Sequence, residues 1–291
     1  MTTIGVALGA PPCLAIDIGA SKVDVAVVTS NGVVHDRERI RVNQHPDDLF
    51  EAIGSTAVRI RDVSGVSLVG VGCAGPMARG GMTVSPLNIR AWKDFPLTPK
   101  LRALLGEDVH VDGDARALAL AEGGFGGAVG ESSFISMVVS TGVGGGVVID
   151  GRLLDGDSGN AGHIGHLNVV PGGNLCSCGA FGCLEAEASG WAIEARTGRC
   201  ARDADDVTKS RTGELVGRAV GSLCSVLDIN CCFIGGSVAL GFGEEFFAVA
   251  NKAAHSMAAL PYSKSLEILP TALGEDGPLI GAAMVAWRGH R

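Results

Sequence analysis

His166, Cys176, Cys178 and Cys183 follow the spacing H-x9-C-x-C-x4-C. Three thiols and one imidazole fill a tetrahedral shell with no position left for water, which is the pattern of a structural zinc site rather than a catalytic one. Gly172, Gly173, Gly179 and Gly182 supply the sharp turns that crowded thiolates need. The other reading is free thiols in a surface loop; a disulfide is disfavoured in a chain of cytosolic character. Zinc here would fold the loop from Asn174 to Leu184, contributing on the order of 10 kcal/mol locally.

A second chemical grouping is Asp112-Gly113-Asp114-Ala115-Arg116, placed ahead of the helix-forming run Ala117 to Gly123. A helix N-terminus favours an ionised carboxylate, so Asp114 is poised to accept a proton from a hydroxyl at neutral pH. The segment alone also allows Asp112 or Asp114 to be a plain N-cap, the commoner use of an acid at a helix start. Glycine turns form the third grouping. Asp17-Ile18-Gly19-Ala20-Ser21-Lys22 joins two strand-like runs, so its amides and the Ser21 hydroxyl can face a phosphate at a hairpin tip. The branched run Val23 to Thr29 rules out the helix that a Walker loop requires. Ser140 to Gly146 is a similar turn, and the strand-like Val147 to Ile149 excludes a dinucleotide fingerprint there. Each turn alone could be a bare hairpin; two in matching positions suit a polyphosphate held between them. Gly235-Gly236-Ser237, after a buried strand, offers a third close backbone approach, suited to a ribose. Phosphoryl transfer needs little else beyond metal-bound nucleotide, and Asp17 could orient Mg2+ through water.

These groups must be positioned by elements that the sequence marks out. Cys13 to Gly19, Val23 to Thr29 and Val33 to Val42 read as an antiparallel meander, with Asn31-Gly32 as a turn. Pro46 to Val63 has helical periodicity, Ser67 to Cys73 reads as a buried strand, and Gly75 to Pro99 as a long functional loop. Phe134 to Val139, the glycine turn and Val147 to Ile149 repeat the opening pattern. Helices follow near Leu184 to Arg196, Val207 to Asp228, Glu244 to Ala259 and Pro278 to Arg288, with a strand at Cys231 to Ile234. The chain has 291 residues, 46% hydrophobic and 19% charged, with a net charge of -8. That length suits two domains around a cleft. The acidic balance and lack of basic runs argue against nucleic acid or an anionic membrane as partner. Met1 to Ala10 has no basic start, and no apolar stretch reaches the roughly 18 residues of a membrane helix, so a cytoplasmic location is expected. Six of the nine cysteines, Cys13, Cys73, Cys200, Cys224, Cys231 and Cys232, lie in or beside apolar segments, as reduced core thiols do.

Asp17 to Lys22, Ser140 to Gly146, Gly162-His163-Ile164-Gly165-His166 and the run Cys176 to Glu185, continuing through Ala188-Ser189-Gly190, together resemble the ROK family of repressors and sugar kinases. The likeness runs from about Leu14 to the C-terminus. It implies an α/β, two-domain actin/hexokinase-like (ribonuclease H-like) fold with ATP and sugar in a cleft, 6-phosphorylation of a hexose, ATP with Mg2+, a structural Zn2+, and a homodimer. The expected boundaries are residues 1–112 plus a C-terminal helix 278–291 for a small domain, and 113–277 for a large domain carrying the zinc loop 166–183. By the resemblance, Asp114 is the base that deprotonates the sugar hydroxyl. Asn88 and Glu185 contact the sugar, His166 binds zinc through one ring nitrogen and lies beside the sugar, and Lys22, Thr141, Gly142, Gly145 and Gly236 contact the nucleotide.

Two positions depart from the family pattern. His163 stands where glucose-specific members carry Glu; an imidazole that can donate suits an N-acyl carbonyl. With the glycine motifs around it, Gly162 to His166 resembles the bacterial kinases of N-acetylmannosamine, so an N-acylated hexosamine is the expected substrate and glucose or another hexose the alternative. Gly113 stands where the family has a sugar-contacting Asn, a loss of roughly 1 kcal/mol of hydrogen bonding. That keeps a non-catalytic sugar-binding regulator in view. A DNA-binding repressor is not expected, because the first strand begins by residue 13 and leaves no room for a winged helix.

Overall fold

The computed structural model describes residues 4, 9–42, 45–87, 89 and 91–290. Asn88 lies outside the described residues. The chain divides into two compact units, Met1–Val129 with Leu153–Ala161 and Leu273–Arg291, and Gly130–Arg152 with Gly162–Ala272. The expected break after Asp112 differs from this division. The helix that begins at Asp114 stays with the first unit, because the C-terminal helix buries itself against it.

In the first unit β1 (Cys13–Ile18), β2 (Lys22–Val28), β3 (Val34–Arg41), β4 (Leu68–Cys73) and β5 (Val109–Gly113) form one sheet in the order β3-β2-β1-β4-β5. The meander is antiparallel as the sequence predicts, whereas β4 pairs with β1 and β5 in parallel. Every residue of β1 and β4 is buried, which is why both read as continuous apolar runs rather than alternating ones. α1 (Pro46–Ser64) ends at Gly65, whose left-handed φ of 72° lets its N–H return to the Arg61 carbonyl. α2 (Leu97–Leu105) takes over the end of the segment expected to be loop. The rest of that loop is anchored by Trp92, fully buried and stacked 4.4 Å from Phe95. α3 (Asp114–Phe125) follows β5 directly.

The C-terminal helix, numbered last in chain order as α8 (Gly277–Gly289), carries the small residues Gly281, Ala282 and Ala283 on buried positions. A Cβ on Gly70 of β4 would stand 1.9 Å from the Ala282 carbonyl oxygen, and one on Gly281 would stand 2.6 Å from that of Ala117 in α3. Helix, sheet and α3 therefore meet backbone to backbone, a spacing that any side chain at these positions would break.

The second unit repeats the strand plan. β6 (Phe134–Val139), β7 (Val143–Ile149), β8 (Arg152–Leu153), β9 (Cys231–Gly235) and β10 (Glu267–Pro270) lie in the order β10-β9-β6-β7-β8. As in the first sheet, a central strand pairs antiparallel with the next strand in sequence and parallel with a later one. The helices α4 (Leu184–Ala188) and α5 (Gly190–Thr197) share the span expected for one helix and separate at Ser189, whose side chain caps α5. α6 (Asp206–Leu227) packs on α7 (Ser237–Met257). Gly213, Gly217 and Gly221 of α6, four residues apart and so on one face, would carry Cβ atoms 2.9, 2.1 and 2.5 Å from the carbonyl oxygens of Phe246, Ala250 and Ala254. α7 begins at Ser237 and breaks at Gly243, where the helical pattern read from sequence starts.

Candidate active site

In the first unit, strand register builds the acidic centre. Parallel pairing sets Asp17 beside Gly72 and Gly72 beside Asp112, all at the carboxyl ends of their strands. Gly72 has no side chain, and a Cβ there would lie 3.5 Å from the Asp114 Cα and 3.6 Å from Asp17 Oδ1. The gap lets the Asp17 carboxyl face the start of α3. Asp17 is buried; burial, then the charges of Asp114 and Asp24, push its carboxyl up to about 7. Asp114 is the first residue of α3, and its Oδ1 accepts a 2.7 Å hydrogen bond from the Ala115 N–H. An acid at this place meets the positive end of the helix.

Asp112 is not the helix cap that the sequence left open. Its carboxylate is gripped by Arg116, with Nε 2.6 Å from Oδ1, and Arg116 also meets Asp155 at 2.7 Å while donating to the Leu154 and Ala161 carbonyls. Arg288 closes the ring on Asp112 and Asp155. Arg116 is 6% exposed, whereas Asp155 and Arg288 reach solvent, so a buried guanidinium at the centre of a half-exposed charge network straps residues 153–161 onto α3. The Gly113 backbone, φ -61° and ψ 137°, suits any residue; a Cβ would lie 3.1 Å from the Arg116 Cδ, so a side chain at 113 requires the arginine stem to give by a few tenths of an ångström.

The first glycine turn is a hairpin tip. Gly19 donates to the Lys22 carbonyl at 3.0 Å between β1 and β2, and Ser21 is exposed beside it. The Lys22 Nζ lies 3.4 Å from Asp24. Asp24, Arg37 and Arg39 went unnoticed in the sequence because β2 and β3 bring them together by cross-strand pairing. Burial alone would raise the Asp24 carboxyl, but hydrogen bonds from Arg39 and Arg37 outweigh it and hold it at about 2.

The second unit gathers the remaining candidates. Ser140 donates to the Gly142 carbonyl at the tip of the β6–β7 hairpin, and Thr141 is exposed with its carbonyl accepting from the Trp191 N–H. Gly145 lies on β7 where a Cβ would stand 2.5 Å from Ile164. Gly236, φ 98°, brings the β9–α7 turn so close that a Cβ would meet the Val139 carbonyl oxygen at 2.4 Å. The turns at 140–142 and 236–237 are joined by the Ser140 and Ser237 hydroxyls, 3.0 Å apart. Residues 162–166 lie flat on β7, because Gly165 allows its backbone within reach of the Val143 carbonyl. His163 is exposed, and its ring centroid is 5.8 Å from that of His166. One oxygen of Glu185 accepts a 3.0 Å bond from the Val143 N–H, tying α4 to the glycine turn, while the other is 3.5 Å from the Ser177 hydroxyl.

The four cluster residues converge. One ligand atom from each of His166, Cys176, Cys178 and Cys183 lies within 4.8 Å of the others. His166 Nδ1 is 3.6 Å from Cys176 Sγ, and Cys178 Sγ is 3.7 Å from Cys183 Sγ. Ligands about 2.3 Å from a tetrahedral centre stand about 3.8 Å apart, so these spacings fit a metal ion of that geometry. Burial and then the neighbouring thiols push Cys183 up to about 12, while the Ala180 backbone holds Cys178 below the usual range. A cation at the centre would remove that conflict. Glu187, which the sequence reading passed over, is buried and secures the loop: it accepts from the Asn174 N–H at 2.7 Å and pairs with Arg211 at 2.6 Å.

Two sheets of like strand order, each with a glycine hairpin, form the actin and hexokinase type of fold. Structures of that class match closely. The ROK hexokinase of Thermus thermophilus superposes with a TM-score of 0.83 at 30% identity, covering 96% of this chain and 99% of that one. A ROK glucokinase from Streptomyces griseus, solved with glucose and AMPPNP, gives 0.84 at 27% identity over 96% and 100%. The sequence profile of the ROK family matches residues 13–288, and the chain belongs to that family. It is 32% identical over 293 residues to the N-acetylmannosamine kinase of Escherichia fergusonii, covering 94% of this chain and 97% of the relative. It is 31% identical over 290 residues to that of Haemophilus influenzae, covering 93% and 94%. Among the described residues no helix is long and apolar enough to cross a membrane.

Proposed function

We propose that this chain is an ATP-dependent sugar kinase that phosphorylates the 6-hydroxyl of an N-acylated hexosamine, N-acetylmannosamine first among them, in the cytoplasm. The observation that carries the proposal is Asp114 at the head of α3 beside the buried Asp17, in a chain of the ROK family whose relatives of like length are N-acetylmannosamine kinases.

Asp114 takes the proton of the sugar hydroxyl as that oxygen attacks the γ-phosphorus, and the bond to the ADP oxygen breaks. Asp17 would orient, through water, the Mg2+ carried by the nucleotide, and that ion would supply charge neutralisation to the phosphates. Gly19, whose N–H closes the hairpin, shapes the turn that presents the Ser21 and Lys22 amides to phosphate oxygens; Thr141, Gly142 and Gly145 act likewise at the second turn, and Gly236 lets the ribose approach the backbone. His166, Cys176, Cys178 and Cys183 would hold a structural zinc, which would keep residues 166–183 folded with His166 and Glu185 toward the sugar. His163 donates to the N-acyl carbonyl, and Asn88 and the Gly113 backbone complete the sugar contacts.

An ADP-release assay on N-acetylmannosamine, N-acetylglucosamine, glucose and mannose tests this reading. The highest kcat/KM is expected on N-acetylmannosamine. A preference for glucose would hand the site to the hexokinase branch, and sugar binding without ADP release on any of the four would make the chain a sugar-responsive regulator.

A further inference from the structure

Asp108, His110 and His290 form a second convergent group in the first unit, and the proposed kinase chemistry makes no use of it. His110 Nε2 is 3.0 Å from Asp108 Oδ1, and His290 Nδ1 is 3.3 Å from Oδ1 and 3.1 Å from Oδ2. One ligand atom from each of the three lies within 4.8 Å of the others. Ligands about 2.0 to 2.2 Å from a zinc ion stand roughly 3 to 3.5 Å apart, so both imidazole–carboxylate spacings are those of neighbouring positions around one ion.

The group is held in place by backbone on both sides. Asp108 immediately precedes β5, and its carbonyl accepts from the Val69 N–H of β4 at 2.9 Å. His290 follows α8, and its N–H reaches the Ala286 carbonyl at 2.9 Å. Between them the His110 ring lies against the end of α8. A Cβ on Gly289 would stand 2.2 Å from His110 Nδ1, so glycine at 289 is what lets the ring lie there with Nε2 turned to Asp108. A ligand imidazole with its orientation set by its surroundings binds metal more tightly than a free one.

We propose that Asp108, His110 and His290 form a binding site for a first-row divalent transition metal, with zinc the commonest occupant, its remaining positions filled by water. Two neutral imidazoles and one carboxylate make a mixed nitrogen and oxygen set that suits Zn2+, Co2+ and Ni2+ over Mg2+ or Ca2+. The ion ties the leading end of β5 to the end of α8. It does not take part in phosphoryl transfer: His110 and Gly113, the residue before Asp114, are three residues apart on β5, about 10 Å at the rise of an extended strand. The site is open to water and binds more weakly than the closed cysteine cluster.

Full-length protein carrying zinc in the cysteine cluster is titrated with Zn2+ against a chromophoric chelator of micromolar affinity. One equivalent retained through gel filtration and a second, micromolar equivalent are expected for the wild type. The second is lost in His290→Ala and in His110→Ala, while the first is unchanged in both. The second equivalent also raises the Tm of the wild type but not of His290→Ala. Absence of a second equivalent in the wild type at millimolar Zn2+ overturns the proposal, as does an undiminished second equivalent in His290→Ala. Should His110→Ala fail to fold, His290→Ala decides alone, since His290 is exposed and follows the last helix. The test is indifferent to which sugar, if any, the chain phosphorylates.

Discussion

Asp114 and the buried Asp17 face each other across Gly72 at the carboxyl ends of β1 and β5, and the roles proposed for them rest on that. Asp114→Asn keeps the shape and the Ala115 contact but cannot take a proton. Turnover is expected to fall by about 10^2 to 10^4, with metal content and thermal unfolding close to wild type. Asp17 gives a pH dependence. Its carboxyl is raised from 3.8 to about 7, so the folded protein binds this proton more tightly than the unfolded chain does. The resulting stabilisation is full below about pH 4 and is lost as pH rises toward 7. The proposed metal-orienting role needs the ionised form, so kcat/KM should climb through about pH 7, where stability from this group is being lost. Asp17→Asn should remove that inflection; an unchanged profile would assign it to another group. His163 sets the third expectation: His163→Glu should lower kcat/KM for N-acetylmannosamine and raise it for glucose, read as the ratio of the two in one assay.

At the scale of elements, close backbone contact is what positions the site. The α6 face of Gly213, Gly217 and Gly221 lies directly on carbonyls of α7, the helix that begins at the Gly236 turn. Gly217→Leu forces the two helices apart. It should destabilise the protein by about 1 to 3 kcal/mol or more, as overpacking does, and raise the KM for ATP by displacing that turn. Chemical denaturation and nucleotide titration of one variant check both. These contacts were half legible beforehand. The recurrence of glycine every four residues is visible in the sequence, but which helix fills the groove depends on packing between segments far apart in the chain.

For the whole molecule, two units with separate cores give metal removal a local signature. The core containing Leu184, Ala188 and Ile193 lies in the second unit, next to the cysteine loop, while that containing Leu14, Ile16 and Val71 lies in the first. On the proposal that His166, Cys176, Cys178 and Cys183 hold zinc, chelation should speed amide exchange across Leu167 to Cys183 and into α4, leaving the β1–β4 pairing protected. Exchange followed by mass spectrometry tests this; uniform loss of protection over both units would mean that the metal supports more than its loop.

What the sequence determined by itself was chemistry written in local spacing: the cysteine and histidine cluster, two glycine hairpins, an acid at a helix start, and through them the ROK family. Each depends on residues close together in the chain, where turn geometry and ligand count leave few alternatives. Tertiary structure alone decided the rest. The parallel register put Asp17 next to Asp114 across Gly72. Cross-strand pairing engaged Lys22 with Asp24. The Arg116 stem packed beside Gly113, and Val143 took one oxygen of Glu185. Asp108, His110 and His290 met because α8 returns to the edge of β5. In each case the partners come from segments that only the fold brings together, and no periodicity along the chain encodes which of them will touch.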